Sequence, residues 1–291
     1  MNILETLCKK IRFTYLRMAS TRKTQQVKEE ILDYYRKHPS QDEEIKTAIQ
    51  YLHGHSVSSF LYPFKDKYIQ SQVPVETDRQ HGLYYVERDG KKLYICRSKT
   101  FTGTQHTYNN LLIEQDPESP HRYLTDQFNV GENDVIVDIG CAEGSQMLDL
   151  VDKVKKIYMF ECEEEWLEAL QLTFAPWKDK VEIVRKYVSD IDDEQNITMD
   201  TFFKDKTDKP TFIKMDVEGA EMQVLHGMQT LLNRNTKLAI TTYHKKDDYE
   251  NITRYITAKG LKYTTSEKYM LFLNQSDFVP PYFRRGLIRV N

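Results

Sequence analysis

The spacing of hydrophobic positions changes period twice along the 291 residues. Near the start, Ile3, Leu4, Leu7, Cys8, Ile11, Tyr15 and Met18 recur at steps of three and four, which lines one face of a helix. Two further helices are expected at 24–38 and 42–53, the second with Asp42 as its N-cap. From His81 the period shortens to that of strands: 83–88 and 92–96 flank Asp89-Gly90, a dipeptide suited to a tight hairpin turn. A short helical piece is expected near 108–113, among the breakers Gly103, Pro117 and Pro120. Beyond it, strand-like runs at 135–139, 156–161, 181–185, 211–216, 237–243, 262–265 and 270–274 alternate with helical stretches at 145–151, 163–174, 220–232 and 247–259. That alternation is what a doubly wound parallel sheet requires, while the short polar link between the last two strands implies an antiparallel hairpin at one edge. The pattern therefore predicts a helical and β-hairpin extension over 1–120, a candidate lid, substrate wall or interaction region, and an α/β domain over 121–291.

The first strand of that domain carries the densest chemistry. It runs Asp134-Val135-Ile136-Val137-Asp138-Ile139-Gly140-Cys141-Ala142-Glu143-Gly144: an apolar, β-branched stretch that suits a strand covered on both faces, then an acid and two glycines four apart. Glycines there let the backbone turn sharply and approach a ligand where a Cβ would collide. The next strand ends in Glu161, 21 positions after Gly140, near the spacing of about 20 at which an acid meets the ribose hydroxyls of a bound nucleotide. Ala142 occupies the place of the middle glycine of a dinucleotide loop, so a nicotinamide-dependent oxidoreductase is the weaker alternative. S-adenosylmethionine suits the pattern better: it has a ribose for Glu161, no pyrophosphate, and an ammonium for which Asp138 is a suitable neighbour. The plainer alternative has Asp138 capping the next helix and Glu161 serving a helix N-terminus.

The segments Val137 to Gly144, Phe160-Glu161, Tyr187-Val188-Ser189-Asp190 and Ile213-Lys214-Met215-Asp216-Val217-Glu218-Gly219-Ala220-Glu221 together resemble the ordered motifs of FkbM-type S-adenosylmethionine-dependent methyltransferases. The likeness spans roughly 120–275, with Cys141 and Glu143 as departures inside the loop. It implies a Rossmann-like class I methyltransferase domain whose seven-stranded, mainly parallel sheet has helices on both faces. It also implies S-adenosylmethionine as cofactor, held by Asp138, Gly140, Cys141, Ala142, Gly144, Glu161, Cys162, Ser189, Asp190 and Asp216, with Asp190 on the adenine amino group. The acceptor it implies is the hydroxyl of a small molecule, a sugar or glycan precursor.

Ligands of open parallel sheets lie beyond the carboxyl ends of the strands. Asp138, Glu161, Asp190, Asp216 and His244 all fall there, so one crevice should gather them. A hydroxyl acceptor must lose a proton as it attacks, and His244 or Asp216 is the expected general base, with Glu218 beside them. Asp216, Glu218 and His244 could instead hold magnesium or calcium, a reading the spacing does not demand. Glu221 is expected to cap the following helix. His53-Gly54-His55 lacks a third ligand nearby, and Pro280-Pro281-Tyr282 lacks the acid or amide that a nucleic-acid amino methyltransferase carries before it.

Net charge is −3, which gives the whole chain no electrostatic footprint of a nucleic-acid binder. The cysteines Cys8, Cys96, Cys141 and Cys162 form no C-x-x-C pair, and a reduced, cytoplasmic protein without transmembrane helix or secretory signal is expected. Residues 1–23 carry six basic side chains against Glu5, a pattern that suits either a solvated helix face or peripheral contact with an anionic membrane. A non-catalytic scaffold that retains cofactor binding is the remaining alternative.

Overall fold

The structure, a computed structural model, describes residues 22–273 and 278–291. The basic stretch at 1–21 therefore lies outside the described residues. Two compact units emerge, one formed by 22–63 with the described part of 268–284, the other by 64–267 with 285–291.

In the first unit, helix α1 (22–37) is followed by α2 (Glu43–Gly54). Asp42 caps α2 as expected, its Oδ1 accepting from the amides of Glu44 at 2.8 Å and Ile45 at 3.4 Å. Such a cap is worth about 1 kcal/mol. Ala48, Tyr51 and Leu52 form the buried face of α2.

The second unit begins with an antiparallel sheet of β1 (Val75–Asp78), β2 (Leu83–Arg88) and β3 (Lys91–Tyr94). Asp89 and Gly90 sit at φ 48° and 76°, the left-handed pair a two-residue hairpin demands. β1 adds a strand the hydrophobic pattern hides, because none of its residues is fully buried. α3 (Phe101–Glu114) is longer than expected and starts at Thr100, whose hydroxyl accepts from the amide of Gly103. Strand and helix then alternate through β4 (Val135–Ile139), α4 (Ser145–Leu150), β5 (Lys156–Phe160), α5 (Glu164–Phe174) and β6 (Val181–Val184). A short parallel pair, β7 (Tyr187–Val188) and β8 (Asn196–Ile197), precedes α6 (Met199–Phe203). After it come β9 (Phe212–Met215), α7 (Glu221–His226), β10 (Lys237–Thr241), α8 (Asp248–Ala258) and β11 (Tyr263–Thr265). Next in sequence, β12 (Tyr269–Leu271) and β13 (Phe283–Arg285) pair with each other, and β14 (Leu287–Val290) ends the chain.

The central sheet runs β11-β14-β10-β9-β4-β5-β6, parallel from β10 to β6, with β14 antiparallel to both neighbours. It is the seven-stranded, mainly parallel sheet expected, but its antiparallel strand differs. Residues 270–274 were expected to form the edge hairpin with 262–265; instead Met270 and Leu271 belong to β12, and β14 enters between β10 and β11. The reason is apolar content: Leu287, Ile288 and Val290 are fully buried, with Ile288 opposite Ile240. The compact units also divide elsewhere than at residue 120. β3 packs on α5, and the Tyr94 amide donates to Thr173 Oγ1 at 3.0 Å, so the hairpin shares a core with the sheet. Strand order reverses between β4 and β9, and that switch point opens the crevice in which ligands bind to such sheets.

Candidate active site

All five residues of β4 are buried, and the chain leaves the strand at Gly140 with φ +76°. An ideal Cβ at Gly140 would sit 1.9 Å from the carbonyl oxygen of Asp216, so the loop lies directly on the end of β9. Glu161 fastens the other side. Its Oε2 accepts from the Ala142 amide at 2.8 Å, and its Oε1 accepts from the amides of Cys162 at 2.7 Å and Glu163 at 2.8 Å. A carboxylate offers about four lone-pair directions, so one on Oε2 is left for a ligand. Ala142, at φ 45°, is held in the left-handed region by this tie.

Two cavities meet on the Gly140–Ala142 segment. One, of about 340 Å³, is walled by Phe160, Glu161, Cys162, Trp166, Tyr187 and Glu218 among others. The second, of about 110 Å³, is walled by Glu114, Tyr123, Asp138, Cys141, Glu143 and Lys214 among others. Gly140, Ala142 and Asp216 line both. The structure thus brings together Asp138, Gly140, Cys141, Ala142, Glu161, Cys162, Asp216 and Glu218 of the expected set. Gly144 ends the loop at the start of α4. Ser189 and Asp190 are not in either wall: the Ser189 amide is tied to the Ile197 carbonyl at 3.1 Å and Asp190 is exposed.

Asp138, expected beside a ligand ammonium, lines the smaller cavity and is paired there with the ammonium of Lys214. The two residues face each other in the β4–β9 register, and Lys214 Nζ donates to Asp138 Oδ1 at 2.7 Å and to the Gly140 carbonyl at 2.8 Å. Burial opposes charge on Lys214, yet the Asp138 and Asp216 carboxylates outweigh it and raise its pKa, keeping the ammonium protonated. Lys214 thereby holds the loop carbonyl as well as the carboxylate. A lysine within the apolar run Phe212-Ile213-Lys214-Met215 was the sequence signal for such a partner.

Asp216 is the hub. Tyr123 Oη donates to its Oδ2 at 2.6 Å, and Tyr243 Oη and Thr241 Oγ1 reach its Oδ1 at 3.4 and 3.3 Å. His121 Nε2 lies 3.5 Å from Oδ2, and His244 Nε2 lies 3.4 Å from Oδ1. Burial would raise the Asp216 pKa, but the hydrogen bond and charge of His121 and the charges of Lys214 and His244 prevail, holding it well below the usual carboxylate range. Behind it, fully buried His244 places Nδ1 2.7 Å from Oε1 of fully buried Glu221. Burial lowers the His244 pKa, whereas the bond to Glu221 and the charges of Asp216, Glu221 and Glu218 raise it, with a net rise. Glu221 does approach the amides of Val217 at 3.3 Å and Gly219 at 3.4 Å as a turn and cap residue would. It also orients the imidazole, which the sequence did not suggest.

Asp216, Glu221 and His244 offer ligand atoms within 4.8 Å of one another, the spacing of a divalent cation site. The Glu221–His244–Asp216 chain of hydrogen-bond and charge contacts explains the same geometry without an ion, and Glu218, expected as a ligand, is largely exposed at 3.5 Å from His244 Nε2. Residues missed in the sequence are His121, Tyr123 and Glu114. The first two are positioned by β14: Arg289 is buried and donates through Nε to the Tyr123 carbonyl at 3.0 Å and through Nη2 to the Arg122 carbonyl.

The Methyltransferase FkbM domain matches residues 97–263, more than half of the chain. The chain belongs to the FkbM methyltransferase family. Many solved structures match this FkbM protein. They include methyltransferase FkbM of Methylobacillus flagellatus KT, at 20% identity over 65% of this chain and 54% of that one, with a TM-score of 0.47. An rRNA methylase of Streptococcus thermophilus matches at 15% identity over 56% and 88%, with a TM-score of 0.38. The chain thus spans about half the length of the Methylobacillus protein. Among curated proteins none matches. The Rossmann-like class I methyltransferase fold follows from the sheet order and from this family. Among the described residues no helix is long and apolar enough to cross a membrane.

Proposed function

We propose that this FkbM-family protein is an S-adenosylmethionine-dependent O-methyltransferase acting on a hydroxyl of a small molecule, a sugar or glycan precursor. The observation that carries the reading is the pair of cavities that share Gly140, Ala142 and Asp216 in their walls. The larger one suits a nucleoside: Trp166 and Tyr187 line it, and a ribose hydroxyl can donate to the remaining lone pair of Glu161 Oε2. The smaller, lined by carboxylates, suits the ammonium and sulfonium charges of the methionyl end. Bound there, the cofactor supplies an activated methyl group. The protein's part is to align that group with an acceptor oxygen, and Asp216, held ionised by His121, Lys214 and His244, accepts the acceptor's hydrogen bond. The choice of a sugar rests on the family resemblance.

The test is thermal unfolding of the full chain with S-adenosylhomocysteine and, separately, NAD. Ligand at 100 times its dissociation constant stabilises by about 2.7 kcal/mol. Stabilisation by S-adenosylhomocysteine alone is expected. Glu161→Ala should lose it, measured against that variant's own baseline because Glu161 also ties three loop amides. A shift with NAD and none with S-adenosylhomocysteine would overturn the cofactor assignment.

A further inference from the structure

Of the acid-base candidates expected from the sequence, Asp216 is held ionised, its pKa well below the usual carboxylate range, and His244 is fully buried behind it. Glu114 is a third acid-base group at the same site. It is the last residue of α3 and lines the smaller cavity with Tyr123, Gly140 and Asp216. Three features oppose a carboxylate there: it is half-buried, no hydrogen bond or ion pair reaches its oxygens among the described residues, and a helix C-terminus repels negative charge. Only the charges of His121 and Lys214 favour the carboxylate, and an acid in such surroundings lining a cleft is a candidate functional group.

We infer that Glu114 is the general base of the methyl transfer, receiving the acceptor's proton at the smaller cavity's wall, where the methyl group on the sulfonium meets the acceptor oxygen. This rests on the O-methyltransferase reading. An acceptor oxygen lone pair forms the new O–CH3 bond as the S–CH3 bond breaks, its electron pair passing to sulfur and leaving a neutral thioether. The hydroxyl proton goes to the Glu114 carboxylate and then to solvent. Burial, with the nearby Glu143 and Asp216 carboxylates adding and His121 and Lys214 opposing, pushes the Glu114 carboxyl up to about 7. That value suits a base working at neutral pH.

Glu114→Gln and Glu114→Asp in the full chain test it. Calorimetric affinity for S-adenosylhomocysteine should stay within about twofold of wild type in both variants, whereas a tenfold loss in Glu114→Gln would make Glu114 a holder of the cofactor ammonium and overturn the inference. With a sugar acceptor found by screening, Glu114→Gln should lower kcat about 100-fold, leave KM for S-adenosylmethionine unchanged and remove the acid limb of the pH profile, with partial rescue in Glu114→Asp. A kcat within twofold of wild type would overturn the inference alone. No S-adenosylhomocysteine binding by wild type, or no hydroxyl methylation, would overturn the O-methyltransferase reading and this inference with it.

Discussion

Gly140 has two reasons to be glycine, and each can be weighed. Its φ of +76° costs a residue with a Cβ about 1–2 kcal/mol. The Asp216 carbonyl lies 1.9 Å from where that Cβ would be, and the obstacle is backbone rather than a flexible side chain. Gly140→Ala should therefore lose about 3 kcal/mol of stability by denaturant unfolding and all measurable S-adenosylhomocysteine binding, because the loop must lift off β9. Loss below 1 kcal/mol with binding intact would mean that the loop and β9 are not in contact. This residue was legible in the sequence because glycines after a buried strand have few other uses, and Asp216 and Glu161 were legible because strand ends fix where their side chains go. Lys214 was less so: one cation in an apolar strand announces a buried partner but does not say that the partner is Asp138, which depends on the β4–β9 register. His121 and Tyr123 lie in a loop whose path is set by Arg289, 166 residues from Tyr123. No local pattern records that.

Among the elements, α3 departs furthest from local expectation. Its C-terminus would suit a cation, yet ends in Glu114 beside a cavity. The sequence placed a shorter helix here, near 108–113; the structure buries Tyr108 with Arg88 over its ring, and Glu114 follows six residues further on. With its carboxyl raised from the ordinary 4.5 to about 7, folded Glu114 holds a proton that the unfolded chain has released. Stability from this group is therefore present below the unfolded value and lost as pH rises through the folded one. Glu114→Gln removes the dependence. Its unfolding free energy should match wild type near pH 4, exceed it progressively toward neutrality, and stay on the order of 1–3 kcal/mol higher above about pH 7. A gap that is the same at both ends of that range would show that Glu114 is an ordinary exposed carboxylate. The C-terminal strand was misjudged for a different reason: β14 is four residues of a chain end, and only its antiparallel fit between β10 and β11 distinguishes it from a tail.

At the scale of the whole second unit, the site is assembled from parts distant in sequence: the end of α3, the loops after β4, β5, β9 and β10, and a tyrosine loop held by β14. Parallel strands place those loops at one end of the sheet, so a single ligand touching Gly140, Glu161 and Tyr187 would join three segments that otherwise open separately. Hydrogen exchange tests that coupling. With S-adenosylhomocysteine at 100 times its dissociation constant, amides at 140–144, 161–163, 186–188 and 216–219 should slow by up to about 100-fold, the most that linkage allows when every opening releases the ligand. Amides of the β1–β3 sheet that exchange by local fraying should keep their rates, because their openings leave the ligand in place. Protection confined to 140–144 would mean that the ligand sits on the loop without bridging to Glu161 and Tyr187, and the larger cavity would then have another occupant. Equal slowing of all four segments, with the β1–β3 edge unchanged, is the outcome expected if Asp216 closes one continuous site rather than the wall between two separate ones.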